Sequence, residues 1–124
     1  MKVKTSELSG KALDWAVAWS VCPESFKDNV SEKTGLPYWA DGWLSNGSPS
    51  TDWRRGGLLI ENHIPTLQRD VDGYSEPEMP WYAECGVFWD IGETPLIASC
   101  RALVQAKLGD EVEIPDELME VRGV

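Results

Sequence analysis

At 124 residues and 13.8 kDa, the chain has room for one domain spanning 1–124. Folding buries about two-thirds of its unfolded surface, so a core can form without disulfides or metal. The 42% hydrophobic content, 26% charge and mean hydropathy of −0.32 are those of a globular domain, and no stretch approaches the roughly 20 apolar residues of a membrane span.

The formal net charge of −10 is unevenly placed. Residues 1–69 hold eight acids and eight bases, whereas Asp70–Glu93 holds seven acids and no base. Such a surface repels phosphates, which excludes direct nucleic-acid binding through a basic face. No basic region followed by an apolar one opens the sequence, so secretion is not expected and a cytoplasmic location is.

Leu8, Ala12, Trp15, Ala16 and Trp19 recur at helical spacing, with Lys11 and Asp14 elsewhere on the wheel. The first element is therefore an amphipathic helix with Trp15 and Trp19 in its core stripe. Ser9 or Thr5 can cap its start, and Cys22-Pro23 ends it. Residues 23–37 read as a loop. The aromatic segment Tyr38–Gly57 is broken by the turn signals Asp41-Gly42 and Asn46-Gly47. Leu58, Leu59 and Ile60 then read as a short buried strand. Asp70–Pro80, with Gly73, Pro77 and Pro80, reads as an exposed loop, and Trp81–Trp89 as a second strand region interrupted at Gly86.

The C-terminal third has the densest local signals. Thr94-Pro95 is a cap followed by proline at the first helical position. Ile97, Cys100, Val104 and Leu108 form one stripe, widened by Leu96 and Leu103, and Gly109 stops the helix. Val112 and Ile114 alternate with Glu111 and Glu113 as an edge strand. The pattern predicts an α+β fold: a short, mostly antiparallel sheet flanked by an N-terminal and a C-terminal amphipathic helix.

Three segments in this order carry a resemblance: KVKTSELSGKALDWAVA, SPSTDWRRGGLLIE and TPLIASCRALVQAKLGDEVEIPDEL. Together they resemble the family of small phage and prophage proteins that includes the NinX proteins of lambdoid phages. The resemblance implies a phage-encoded protein working inside a bacterium and supplies no catalytic residues.

The chain's own chemistry points away from an enzyme. It has no G-x-S-x-G elbow, Walker A or G-x-G-x-x-G motif. His63 is the only imidazole, and Asp70-Val71-Asp72-Gly73 places its glycine too early for an EF-hand. Cys22, Cys85 and Cys100 are widely spaced and read as free, mostly buried thiols. No metal and no cofactor are expected.

Binding has better material. Seven tryptophans are a heavy load for this length, and five of them (Trp39, Trp43, Trp53, Trp81, Trp89) fall on segments that read as strand or loop. Among these, Ser50, Thr51, Asp52, Trp53, Arg54, Arg55, Gly56 and Gly57 form the candidate ligand site. Hydroxyls and an acid can grip a ribose, an indole can stack on a base, and arginine can fork onto phosphate. Paired glycines let backbone N–H groups approach an anion. The bland alternative is a turn-to-strand junction with Asp52 capping a turn and solvated arginines.

Two functions follow as expectations. One is a non-catalytic phage accessory protein that binds a small phosphorylated or nucleotide-like ligand, sequestering a host defence signal. The other is an acidic interaction protein that docks on a basic surface of a host protein. The surplus of large aromatics also leads us to expect a homodimer.

Overall fold

Thr94 accepts the Ile97 N–H on its hydroxyl at 3.1 Å, Pro95 takes the first turn, and Gly109 at φ 98° closes the far end. Between these signals runs α3, Pro95–Leu108. In the computed structural model, which describes residues 1–22, 48–69 and 78–118, this helix is the central element. Leu96, Ala98, Ser99, Cys100, Arg101, Ala102, Leu103 and Val104 are all buried. Ile97 and Leu108 of the expected stripe are half-buried and pack at the core margin.

Two layers cover α3. On one side lie α1 (Gly10–Val21) and a two-stranded antiparallel sheet in which β1 (Lys2–Lys4) pairs with β5 (Glu111–Glu113). Val3 and Val112 are register partners facing the core, while Lys2, Lys4, Glu111 and Glu113 face solvent. Leu8, Leu13, Val17, Leu103 and Ile114 fill this layer. A 3-10 turn at Thr5–Glu7 joins β1 to the helix, fixed by the buried Thr5 hydroxyl donating to Gly109 O at 2.6 Å.

On the other side sit α2 (Trp53–His63) and a three-stranded antiparallel sheet. Its strands are β2 (Thr66–Arg69), β3 (Trp81–Cys85) and β4 (Phe88–Gly92), with β3 in the middle. Ala83, Ala98, Ala102 and Ile64 form a second, smaller core there. Strands β3 and β4 make a hairpin closed by Cys85 opposite Phe88. Gly86, at φ 64°, supplies the left-handed residue that a two-residue loop requires.

The α+β expectation holds, with strands divided between two sheets. Three local expectations change. Leu58, Leu59 and Ile60 belong to α2 rather than to a buried strand, and Leu58 is 59% exposed. A run of three apolar residues cannot distinguish a strand from a helix, and here Asp52 nucleates the helix by capping it. Trp15 and Trp19 are half-buried at the rim, because the face of α1 that meets α3 consists of Ala12, Leu13, Ala16 and Val17. Asp14 is buried, not solvated. The readings of residues 23–47 and 70–77, including Trp39 and Trp43, fall outside the described residues.

Gly56 permits the close approach of α2 to α3. A Cβ at this position would clash with Leu96 Cδ2 and Pro49 O, whereas at Gly57 it would meet nothing within 4 Å. Gly56→Ala should therefore destabilise the fold by about 1–3 kcal/mol through overpacking. Gly57→Ala should stabilise it by about 0.5–1 kcal/mol, because alanine is the better helix former. Paired denaturant titrations check both; equal effects would remove the packing role assigned to Gly56.

Candidate functional site

The segment 50–57 is drawn together at the start of α2, though not as a nest of open amides. Asp52 is the helix cap, accepting the Arg54 N–H at 2.9 Å. The same carboxylate takes the Arg54 guanidinium, with Nη2 at 3.2 Å, and this hydrogen bond holds Asp52 below the usual carboxylate range. An internal anion thus occupies the place where an external one would sit on the helix N-terminus. The Arg55 and Gly56 N–H groups both donate to Asp52 O, at 3.1 and 2.8 Å. The expectation that paired glycines open the backbone to an anion gives way: these residues are helical, and the Gly56 amide is spent within the helix.

The side chains divide in two. Ser50 and Gly56 are buried, while Arg55 and Gly57 are half-buried. Thr51, Trp53 and Arg54 face solvent, with the indole 57% exposed. The Trp53 indole lies open to solvent and the Arg54 guanidinium is paired with Asp52, whereas Ser50 serves the fold. Its N–H donates at 3.0 Å to Asp14 Oδ1 of α1, across 36 residues of sequence. Burial pushes the Asp14 carboxyl above its usual range, with hydrogen bonds from the Ser48–Ser50 segment opposing the shift.

A second surface, which the sequence did not single out, lies on the hairpin. Side chains alternate across β3, so Ala83 faces α3 while Tyr82 and Glu84 face outward. Trp89 stands directly opposite Glu84 in the register and stacks on Tyr82, with ring centroids 5.8 Å apart. Val87, Phe88 and Trp89 are all exposed. An open groove of about 710 Å³ continues along β4, lined by these residues together with Ser6, Glu7, Met79, Asp90, Ile91 and Gln105. The strand alternation in WYAEC was the signal that could have found this face; the Gly86 break hid it.

Beneath the hairpin lies a polar floor. Asp90 accepts the Ile91 N–H at 2.8 Å and the Gln105 amide at 3.0 Å. Burial pushes its carboxyl upward, opposed by these bonds and by the charge of Arg101. His63, at the end of α2, is held below its usual value by burial and by Lys107. None of the three cysteines is in a disulfide, and burial raises Cys85 and Cys100. Among the described residues, no three His, Cys, Asp or Glu side chains gather as a metal site. No described helix is long and apolar enough to cross a membrane.

The anchor of the 50–57 segment has a pH signature. A carboxyl raised in the folded state binds more protons there than in the unfolded chain, so its contribution falls as pH rises above an aspartate's ordinary 3.8. Relative to Asp14→Asn, the parent protein should therefore lose stability as pH goes from about 4 to 7. Melting curves of the two proteins across that range check it, and a difference that is flat or grows with pH would refute the assignment.

A family model described as bacteriophage P22 NinX matches residues 4–107, from the end of β1 to one residue short of the end of α3. No curated protein matches the chain. With most of its length matched, the chain belongs to the NinX family of phage proteins.

Proposed function

We propose that this member of the NinX family, an accessory phage protein, works by non-catalytic binding and docks on a basic surface of a host protein. The observation that carries this reading is the β3–β4 hairpin, which holds Val87, Phe88 and Trp89 in solvent. A contiguous exposed apolar patch is costly in a soluble domain and marks interaction surfaces. Glu7 borders the adjoining groove and Glu84 stands beside Trp89, on a chain of net charge −10. Carboxylates around an aromatic patch favour a cationic partner and repel an anionic one.

A second reading is favoured by Trp53 and Arg54, exposed side by side at the start of α2. Here a small phosphorylated or nucleotide-like ligand stacks on Trp53 and forks onto Arg54, and the phage gains by sequestering a host defence signal. Two features weigh against it. Arg54 already has a carboxylate partner in Asp52, and Ser50 and Gly56 are engaged in packing.

An oligo-arginine peptide and a panel of nucleotides separate the readings. Docking on a basic partner expects peptide binding that weakens with added salt, no shift in Tm with any nucleotide, and a silent Arg54→Ala. Charge reversal of Asp70, Asp72, Glu76 and Glu78 should abolish that binding. The ligand reading expects the reverse: a nucleotide raises Tm and quenches tryptophan. In that case Arg54→Ala and Trp53→Ala each weaken binding, by about 10- to 150-fold for the arginine. Nucleotide binding without peptide binding would overturn the docking proposal.

A further inference from the structure

Resting on the reading of a basic partner, we infer that the outward face of the β3–β4 hairpin is its recognition site, and that Trp89, Tyr82 and Glu84 hold an arginine or lysine side chain of the partner. The geometry supplies both halves of a cation site. Trp89 is 57% exposed, so much of the indole is free, and Tyr82 stacks against it at 5.8 Å to keep the ring in place. A cation over an indole is attracted by the negative face of the ring. Glu84, directly opposite Trp89 in the strand register, adds a carboxylate on the same face. The groove along β4 carries a second carboxylate at Glu7 and gives the neighbouring residues of a basic segment a path.

The comparison with Trp53 is what selects this face. Both indoles are 57% exposed. Trp53 is followed in sequence by Arg54 and Arg55, which repel a cation, whereas Trp89 faces Glu84 across the strands. Exposure is equal and the electrostatic setting differs, so of these two indoles it is Trp89 that suits a basic partner.

The test uses the intact protein and an oligo-arginine peptide. Trp89→Ala, which leaves net charge untouched, should weaken peptide binding about 5- to 30-fold, with Trp89→Phe intermediate. Trp53→Ala, also charge-neutral, should be silent. Glu84→Gln should cost about 2- to 5-fold, while Glu61→Gln, which removes the same charge from exposed α2, should cost less. In an NMR titration the indole N–H of Trp89, assigned from the Trp89→Phe variant, should shift while that of Trp53 stays still. The Tm of each variant confirms that it folds.

If the peptide binds the parent and all variants equally, the hairpin site is wrong and the basic-partner reading survives. If it does not bind the parent at all, the basic-partner reading fails and takes the site with it. Two further outcomes would overturn the site. One is an uncharged nucleoside moving the Trp89 signal as far as the peptide does. The other is a dimer, seen by light scattering without peptide, that Trp89→Ala dissolves.

Discussion

The guanidinium of Arg101 ties the two layers of the molecule to its central helix. It is 3% exposed, donates from Nε to Leu8 O at 2.8 Å and from Nη1 to Ile91 O at 3.0 Å, and also reaches Met79 Sδ at 3.4 Å. Leu8 stands at the entry to α1 and Ile91 lies in β4, so one side chain on α3 fixes the position of both neighbours. A buried cation is tolerated only where its donors are satisfied and opposite charge is near. Burial pulls the Arg101 pKa down, while Asp90 and Glu93 pull it back up. Stripping a partner from such a group typically costs about 3–5 kcal/mol, so the hairpin and the N-terminal layer are held jointly rather than independently.

This arrangement also determines what the hairpin offers to the outside. An edge strand with free N–H and C=O groups invites another strand to pair with it. At Ile91 both groups are spoken for, the N–H by Asp90 and the carbonyl by Arg101. The β4 edge is thereby blunted in its middle, which disfavours pairing with an added strand. That is consistent with an aromatic and carboxylate face at Tyr82, Glu84 and Trp89, and less so with strand addition.

What was legible in the sequence follows from how local each signal is. The last helix could be read in full because Thr94, Pro95 and Gly109 act within one turn of themselves. The alternation of Val112 and Ile114 with glutamates was equally local. Helix α2 was missed because Gly56 and Gly57 depress helix propensity, and because its exposed Trp53 and Leu58 blur the amphipathic period. The burial of Asp14 was out of reach, since aspartate is ordinarily exposed and its partner Ser50 lies 36 residues away. The candidate site shows the same limit. Residue types suited to a phosphate are present in 50–57, but whether Arg54 points at a ligand or at Asp52 depends on a helix start in a segment that reads as a turn leading into a strand.

The exposure of the hairpin tip is then a property the fold imposes on itself. With Cys85 and Phe88 closing a two-residue loop, Val87 has no layer to pack against and is 89% exposed. Trp89 is on the outward side of the strand because Asp90 must point inward to meet Gln105, and side chains alternate with period two. Moving the register by one residue would bury the indole and expel the carboxylate, breaking the polar floor under β4. The same bond network that secures the hairpin to α3 therefore commits Trp89 to solvent. An indole placed there packs against Tyr82 on its own sheet face and leaves more than half of its surface to solvent rather than to the core.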